Sequence, residues 1–153
     1  MKGKKHLRLQ QLNDKMKVLS VMRKMPPPST GWVKAIRMSL GMSLQQLGNK
    51  LGVSKQNVQS MEKREQEGTV SIKALKEVAQ AMDMEFVYGF VPKEGTLNDL
   101  IEKQALKLAT EIVMRTAHTM SLEDQANSKK RIARSIKERT EMIKNEMPGM
   151  LWD

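Results

Sequence analysis

The side chains with chemistry to offer are concentrated between Ser43 and Lys63. Lys55, Gln56, Asn57, Gln59, Ser60 and Lys63 supply amides, a hydroxyl and ammonium groups, interleaved with apolar Val58 and Met61. At 3.6 residues per turn the apolar pair turns inward and the polar set outward. Amides donate and accept side by side, so such a face suits hydrogen-bonded readout of a ligand edge rather than covalent chemistry. Catalysis has little other material. His6 lies in a basic segment and His118 at the end of a predicted helix, with no second His, Cys or carboxylate pair at metal-ligand spacing. The chain has no Cys, which excludes a disulfide framework and a thiol nucleophile. Gly48 and Gly52 are accounted for by helix packing, not by a phosphate loop. No enzyme activity, metal or cofactor is expected.

Charge says more when it is divided along the chain. The 153 residues hold 27 Lys and Arg against 17 Asp and Glu, a net +10. Residues 1–29 carry eight basic residues and one acid, residues 30–92 eight and six, and residues 93–153 eleven and ten. Most of the excess therefore belongs to a basic N-terminal arm, the kind of segment that meets phosphate or another anionic partner. The uncharged stretch 25–33 is rich in Pro and small polar residues and far short of the ~20 apolar residues of a membrane span. No signal-peptide core follows the basic start. A cytoplasmic protein with no membrane partner is expected. Aromatic residues are only 3% while Met numbers 14, so the core must be Leu and Met packed between helices.

The elements that position the polar face read as nearly all helical. Leu9, Leu12, Met16, Leu19 and Met22 predict an N-terminal helix ending before Pro26-Pro27-Pro28. A second helix starts after Ser29 or Thr30, buries Trp32, Ile36 and Leu40, and stops at Gly41. Ser43 caps a short helix to Leu51, with Gln46 placed for a capping box. Ser54 caps the next, to about Arg64, and Ser71 another that buries Ile72, Leu75, Val78, Ala79 and Met82. Residues 86–91 are apolar, aromatic and β-branched before Pro92, and predict a single strand. Thr96 opens a long helix to about Thr119, striped with Leu97, Ile101, Leu108 and Ile112; Ser121 restarts a charged helix to about Met147. The apolar tail Met150, Leu151 and Trp152 is expected to fold back onto the core, the alternative being that it docks on a partner. Three regions result: a basic helix or arm over 1–29, a domain over 30–92, and a C-terminal helical region over 93–153 for dimer or partner binding.

Two short helices that cross steeply need a small residue at the closest approach, a Gly in the turn and apolar residues at fixed offsets. Gly48, Gly52 and the set Leu47, Leu51, Val53, Val58 and Met61 meet that need, which is a helix-turn-helix pattern. Residues 41–62, Gly-Met-Ser-Leu-Gln-Gln-Leu-Gly-Asn-Lys-Leu-Gly-Val-Ser-Lys-Gln-Asn-Val-Gln-Ser-Met-Glu, resemble the Xre or lambda-Cro class of DNA-binding domain, and the resemblance extends over 30–83. Gly31-Trp32-Val33 with Ile36-Arg37, Met61-Glu62 with Glu65, and Val87-Tyr88 with Val91-Pro92 are similar to a narrower group, the mobile mystery protein A family. The chain departs from the wider pattern at Leu44, where many Xre domains carry a Gln that touches phosphate.

The resemblance implies an all-α, lambda-repressor-like fold with one short strand and a helical extension. In this class the second helix of the motif enters the major groove. Lys55, Gln56, Gln59 and Ser60 are then the candidates for base edges, Lys for guanine and Gln for adenine. Lys34, Arg37, Ser43, Lys50, Asn57, Lys63 and Lys73 are candidates for the phosphate backbone, while Glu62 is expected to be internal. One recognition helix covers little DNA, so a homodimer on an inverted-repeat operator is expected. Its contact surface is either the predicted strand or the stripe of the helix from Leu97.

The narrower resemblance implies a partner as well, because mobile mystery protein A generally stands beside a Fic-domain protein. Fic adenylyltransferases are often inhibited by a helix carrying Ser or Thr and, four residues on, Glu. Thr119 and Glu123 match those two elements, with Asp124 where Gly or Asn would follow; Ser121 with Asp124 also reads as a helix cap. The expected function is an autorepressor that acts as antitoxin to a Fic-type toxin. The alternatives are a stand-alone Xre-type repressor and an RNA- or ribosome-associated interaction module.

Overall fold

The computed structural model describes residues 2–117 and 125–153, and all regular structure among them is helical. In order these are α1 (Lys2–Leu19), a 3-10 helix (Ser20–Lys24), α2 (Trp32–Ser39), α3 (Leu44–Leu51), α4 (Lys55–Glu67), α5 (Ile72–Ala81), α6 (Leu97–Ala117), α7 (Gln125–Glu146) and a terminal 3-10 turn (Gly149–Trp152). Contacts divide the chain into two compact units, Val21–Gly89 and a second made of Met1–Ser20 with Phe90–Asp153. Residues 2–19 of the basic N-terminal segment are thus helical and share a unit with the C-terminal helices, while residues 21–29 belong to the other unit.

The unit Val21–Gly89 is built on Val33, Leu47, Val58, Met61, Val78 and Met82, with Ile36, Met42, Leu44, Leu51 and Leu75 packed around them. The start of α3 is set by a complete capping box, in which the Ser43 hydroxyl accepts from Gln46 N–H and the Gln46 side chain accepts from Ser43 N–H. Ser54 and Ser71 cap α4 and α5 by accepting from Asn57 N–H and Ala74 N–H. Gly52 and Gly68 close α3 and α4 at φ 69° and 77°, the left-handed conformation in which Gly has no Cβ to clash.

Three sequence expectations for this unit are corrected. In α2 the inward row is Val33, Ile36 and Arg37, which leaves Trp32 and Leu40 exposed at 44% and 56%. Val53 and Ile72, expected inside, are exposed because each sits at the entrance to a helix rather than on its packed stripe. The predicted strand at 86–91 does not form: no described segment pairs with it, so the ladder hydrogen bonds that define a strand are missing. In this extended stretch Phe86 stacks on Tyr88 with ring centroids 5.8 Å apart, and Lys76 Nζ lies 5.9 Å from the Tyr88 ring centre.

In the other unit α6 and α7 pack along their length. Lys144, late in α7, bonds Glu102, early in α6, at 3.3 Å, so the two helices run antiparallel. Ala105 and Ala109 are fully buried and, having no bulk beyond Cβ, let the helices approach between Ile101, Ile112, Ile136 and Ile143. Leu151 folds back into this core, as expected for the tail, while Met150 and Trp152 stay half exposed. α1 docks through Leu9 and Asn13 rather than through the whole predicted stripe, and Leu12 is exposed. The Asn13 side chain accepts from Leu97 N–H and donates to Asn98, which satisfies one of the unpaired donors at the start of α6. Among the described residues no helix is long and apolar enough to cross a membrane.

Candidate nucleic-acid interface

The geometry of α3 and α4 depends on one close approach. A Cβ on Gly48 would stand 2.6 Å from the Val53 carbonyl oxygen, so only Gly lets the turn return against α3. The turn is tied there by Val53 N–H donating to Gly48 O at 2.9 Å. α4 leaves it with Val58, Met61 and Glu62 buried and with Lys55, Gln56, Asn57, Gln59, Ser60 and Lys63 exposed. No acid occupies the first turn of α4, so its N-terminal N–H groups and dipole favour an anion.

Three side chains of α4, Glu62, Glu65 and Gln66, tie it to α2 and to the segment before it. Arg37 Nε donates to Glu62 Oε1 at 2.5 Å and Nη2 to Oε2 at 3.2 Å, a two-pronged pair with both side chains nearly buried. Arg37 Nη1 also donates to Met42 O at 2.9 Å, which holds the α2–α3 turn. One turn further along α4, the Glu65 carboxylate accepts from Trp32 N–H and Val33 N–H, each at 2.8 Å, and so caps α2 from another helix. Gly31 makes room for it: φ is +85°, and a Cβ there would lie 2.9 Å from Glu65 Oε1. Finally, Gln66 Nε2 donates to Ser29 O at 3.2 Å.

Lys34, Gln56, Gln59, Ser60 and Lys63 come together around one open polar depression of about 400 Å³, with Thr30, Glu62 and Gln66 completing its lining. Thr30 and Gln66 are missing from the residues chosen by sequence. Gln66 was legible, since positions 56, 59, 63 and 66 lie on one face of a helix. Thr30 was not, because only the folding of α2 against α4 brings it there.

The other candidates stand apart from this depression. Lys55 and Asn57 are exposed on the first turn of α4, Ser43 and Lys50 at the two ends of α3, and Lys73 on the first turn of α5. The Ser43 hydroxyl already accepts a capping bond. Lys63 makes an exposed pair with Glu67 at 3.8 Å, of a kind worth little in water. Arg37 is corrected: it is 9% exposed and occupied by Glu62 and Met42, so it supports the interface from inside and is not placed to meet phosphate. Glu62 is internal, as expected. Thr119 and Glu123 lie outside the described residues, as do His118 and Ser121.

Among the described residues no group of three or more His, Cys, Asp or Glu side chains is arranged to hold a metal ion. What the site offers is an amide-rich surface with two ammonium groups at its edges and a rigid hydrogen-bonded back. No curated protein and no solved structure matches the chain. Residues 33–88, which hold all but the first residue of α2 and the whole of α3 to α5, match the family model described as helix-turn-helix.

Proposed function

We propose that this protein is a sequence-specific, cytoplasmic transcriptional repressor that reads an inverted-repeat operator as a homodimer. The observation that carries the reading is the division of α4: Val58, Met61 and Glu62 are locked inside, while Gln56, Gln59, Ser60 and Lys63 share one open polar surface with Lys34. Gln56 and Gln59 supply the paired donor and acceptor that adenine presents in the major groove. Lys34, Lys55 and Lys63 add phosphate or guanine contacts, and the cations of α1 add salt-dependent affinity without selecting sequence.

The resemblance to mobile mystery protein A extends the proposal: the repressor controls its own operon and serves as antitoxin to a Fic-type adenylyltransferase made beside it. That part rests on the sequence motifs and on the match of Thr119 and Glu123 to an inhibitory helix.

Footprinting on the DNA upstream of its own reading frame tests the repressor. A protected inverted repeat is expected, abolished by Gln56→Ala and only weakened by Lys4, Lys5 and Arg8→Gln. Protection of any sequence alike, lost with the α1 cations, would replace operator reading by general polyanion binding. Co-expression with a Fic protein from the adjacent frame tests the antitoxin role. Suppression that survives Glu123→Gly in full would remove Glu123 from it.

A further inference from the structure

α7 is unevenly charged in a way that the near-neutral total of residues 93–153 conceals. Residues 129–139 carry Lys129, Lys130, Arg131, Arg134, Lys137 and Arg139 against Glu138 alone, whereas residues 141–146 have Lys144 between Glu141 and Glu146. All six cations are exposed, because Ile132, Ile136, Thr140 and Ile143 take the inward side of the helix. Only Arg134 has an acidic partner among the described residues, an exposed pair with Glu138 at 3.0 Å. Lys130, Arg134 and Lys137 follow the four- and three-residue steps that align side chains on one face, roughly 6 and 4.5 Å apart along the axis.

Four acids of this unit, Asp99, Glu102, Glu141 and Glu146, lie toward the start of α6 and the end of α7, while Glu111 and Glu138 lie nearer the cations. Glu102 and Glu141 both hold Lys144, and Asp99 accepts from Thr96 at the start of α6. α1 runs the same way as this polarity. From Asn13, bonded to the start of α6, it passes Leu9 in the core, so Arg8, Lys5 and Lys4 lead away from the acidic end.

We propose that residues 129–139 of α7, through Lys130, Arg131, Arg134 and Lys137, bind phosphates of duplex DNA as a second contact surface outside the helix-turn-helix domain. The choice of duplex DNA rests on the operator reading above and on what this face lacks. α7 contains no aromatic residue to stack an unpaired base. Its apolar row is turned into the core, so it has nothing to insert into a membrane surface.

The test uses the full chain with Lys130, Arg131, Arg134 and Lys137 all changed to Gln. Gln retains helix propensity at these exposed sites, and circular dichroism checks that the helices remain. Binding is measured over a range of salt on a duplex from the upstream DNA and on a scrambled duplex of equal length. Each phosphate contact contributes about 0.9 to the slope of log affinity against log salt. The variant should reduce that slope by about 2–4 and weaken both duplexes by a common factor of about tenfold or more, with their ratio kept. Gln56→Ala should do the reverse, collapsing the ratio and keeping the slope. An unchanged slope and affinity in the α7 variant would overturn the proposal and leave operator reading intact. So would a loss confined to double-stranded RNA or to anionic phospholipid vesicles. If the wild-type chain prefers neither duplex but the α7 variant still loses affinity for both, operator reading fails and the α7 surface stands.

Discussion

The guanidinium of Arg37 meets the carboxylate of Glu62 with two donors on two oxygens, inside the domain that presents the polar face of α4. The pair links α2 to the middle of α4, one residue from Met61 and two from Ser60, so it helps decide which side of α4 faces outward. A buried ion pair costs desolvation that its attraction only partly returns, but losing one partner strands a charge in the core.

Arg37→Ala is therefore expected to destabilise the domain by about 3–5 kcal/mol, read from urea unfolding. The double variant Arg37→Met with Glu62→Leu should recover most of that loss, because no charge is then left unpaired. If Arg37 instead served phosphate from the surface, the single variant would lower DNA affinity with stability unchanged.

Gly48→Ala tests the close approach of the turn. The added Cβ meets a backbone carbonyl, which cannot step aside as a flexible side chain could. A loss of about 1–3 kcal/mol is expected in thermal or urea unfolding, together with weaker operator binding as the angle between α3 and α4 opens. Stability within a few tenths of a kcal/mol of wild type would show that the turn has slack.

Acid should loosen the start of α6. Hydrogen bonds from the Thr96 backbone N–H and then from its hydroxyl hold the Asp99 carboxyl below its ordinary value. A depressed carboxylate stabilises the fold fully above its unfolded value of about 3.9, and that contribution is lost as pH falls through the lower folded value. The Asp99 carboxyl carbon, followed by NMR, should titrate with a midpoint below about 3.9, and Asp99→Asn should remove this part of the acid sensitivity. A midpoint at or above that value would mean that the bonds to Thr96 do not persist in solution.

Local rules fixed much of this protein in its sequence. Ser43 with Gln46, Ser54 and Ser71 start helices where they must, because capping involves residues three apart. Gly48, Gly52, Val58 and Met61 announced the motif and its outward polar face through spacing alone. A strand is different: residues 86–91 have strand composition, but strand structure needs a partner that composition does not provide. Helix periodicity likewise admitted two neighbouring rows in α2. Arg37 has the type and spacing of a surface cation, but Glu62, 25 residues later, takes it inside. Glu65 capping α2 and Thr30 joining the depression beside Gln59 are contacts between helices, which helix spacing cannot report. Residue spacing alone set the helices, the serine caps of α3 to α5 and the outward polar face of α4. Tertiary packing decided which charged groups serve as internal braces and which stay free in water, because burial and pairing depend on residues distant along the chain.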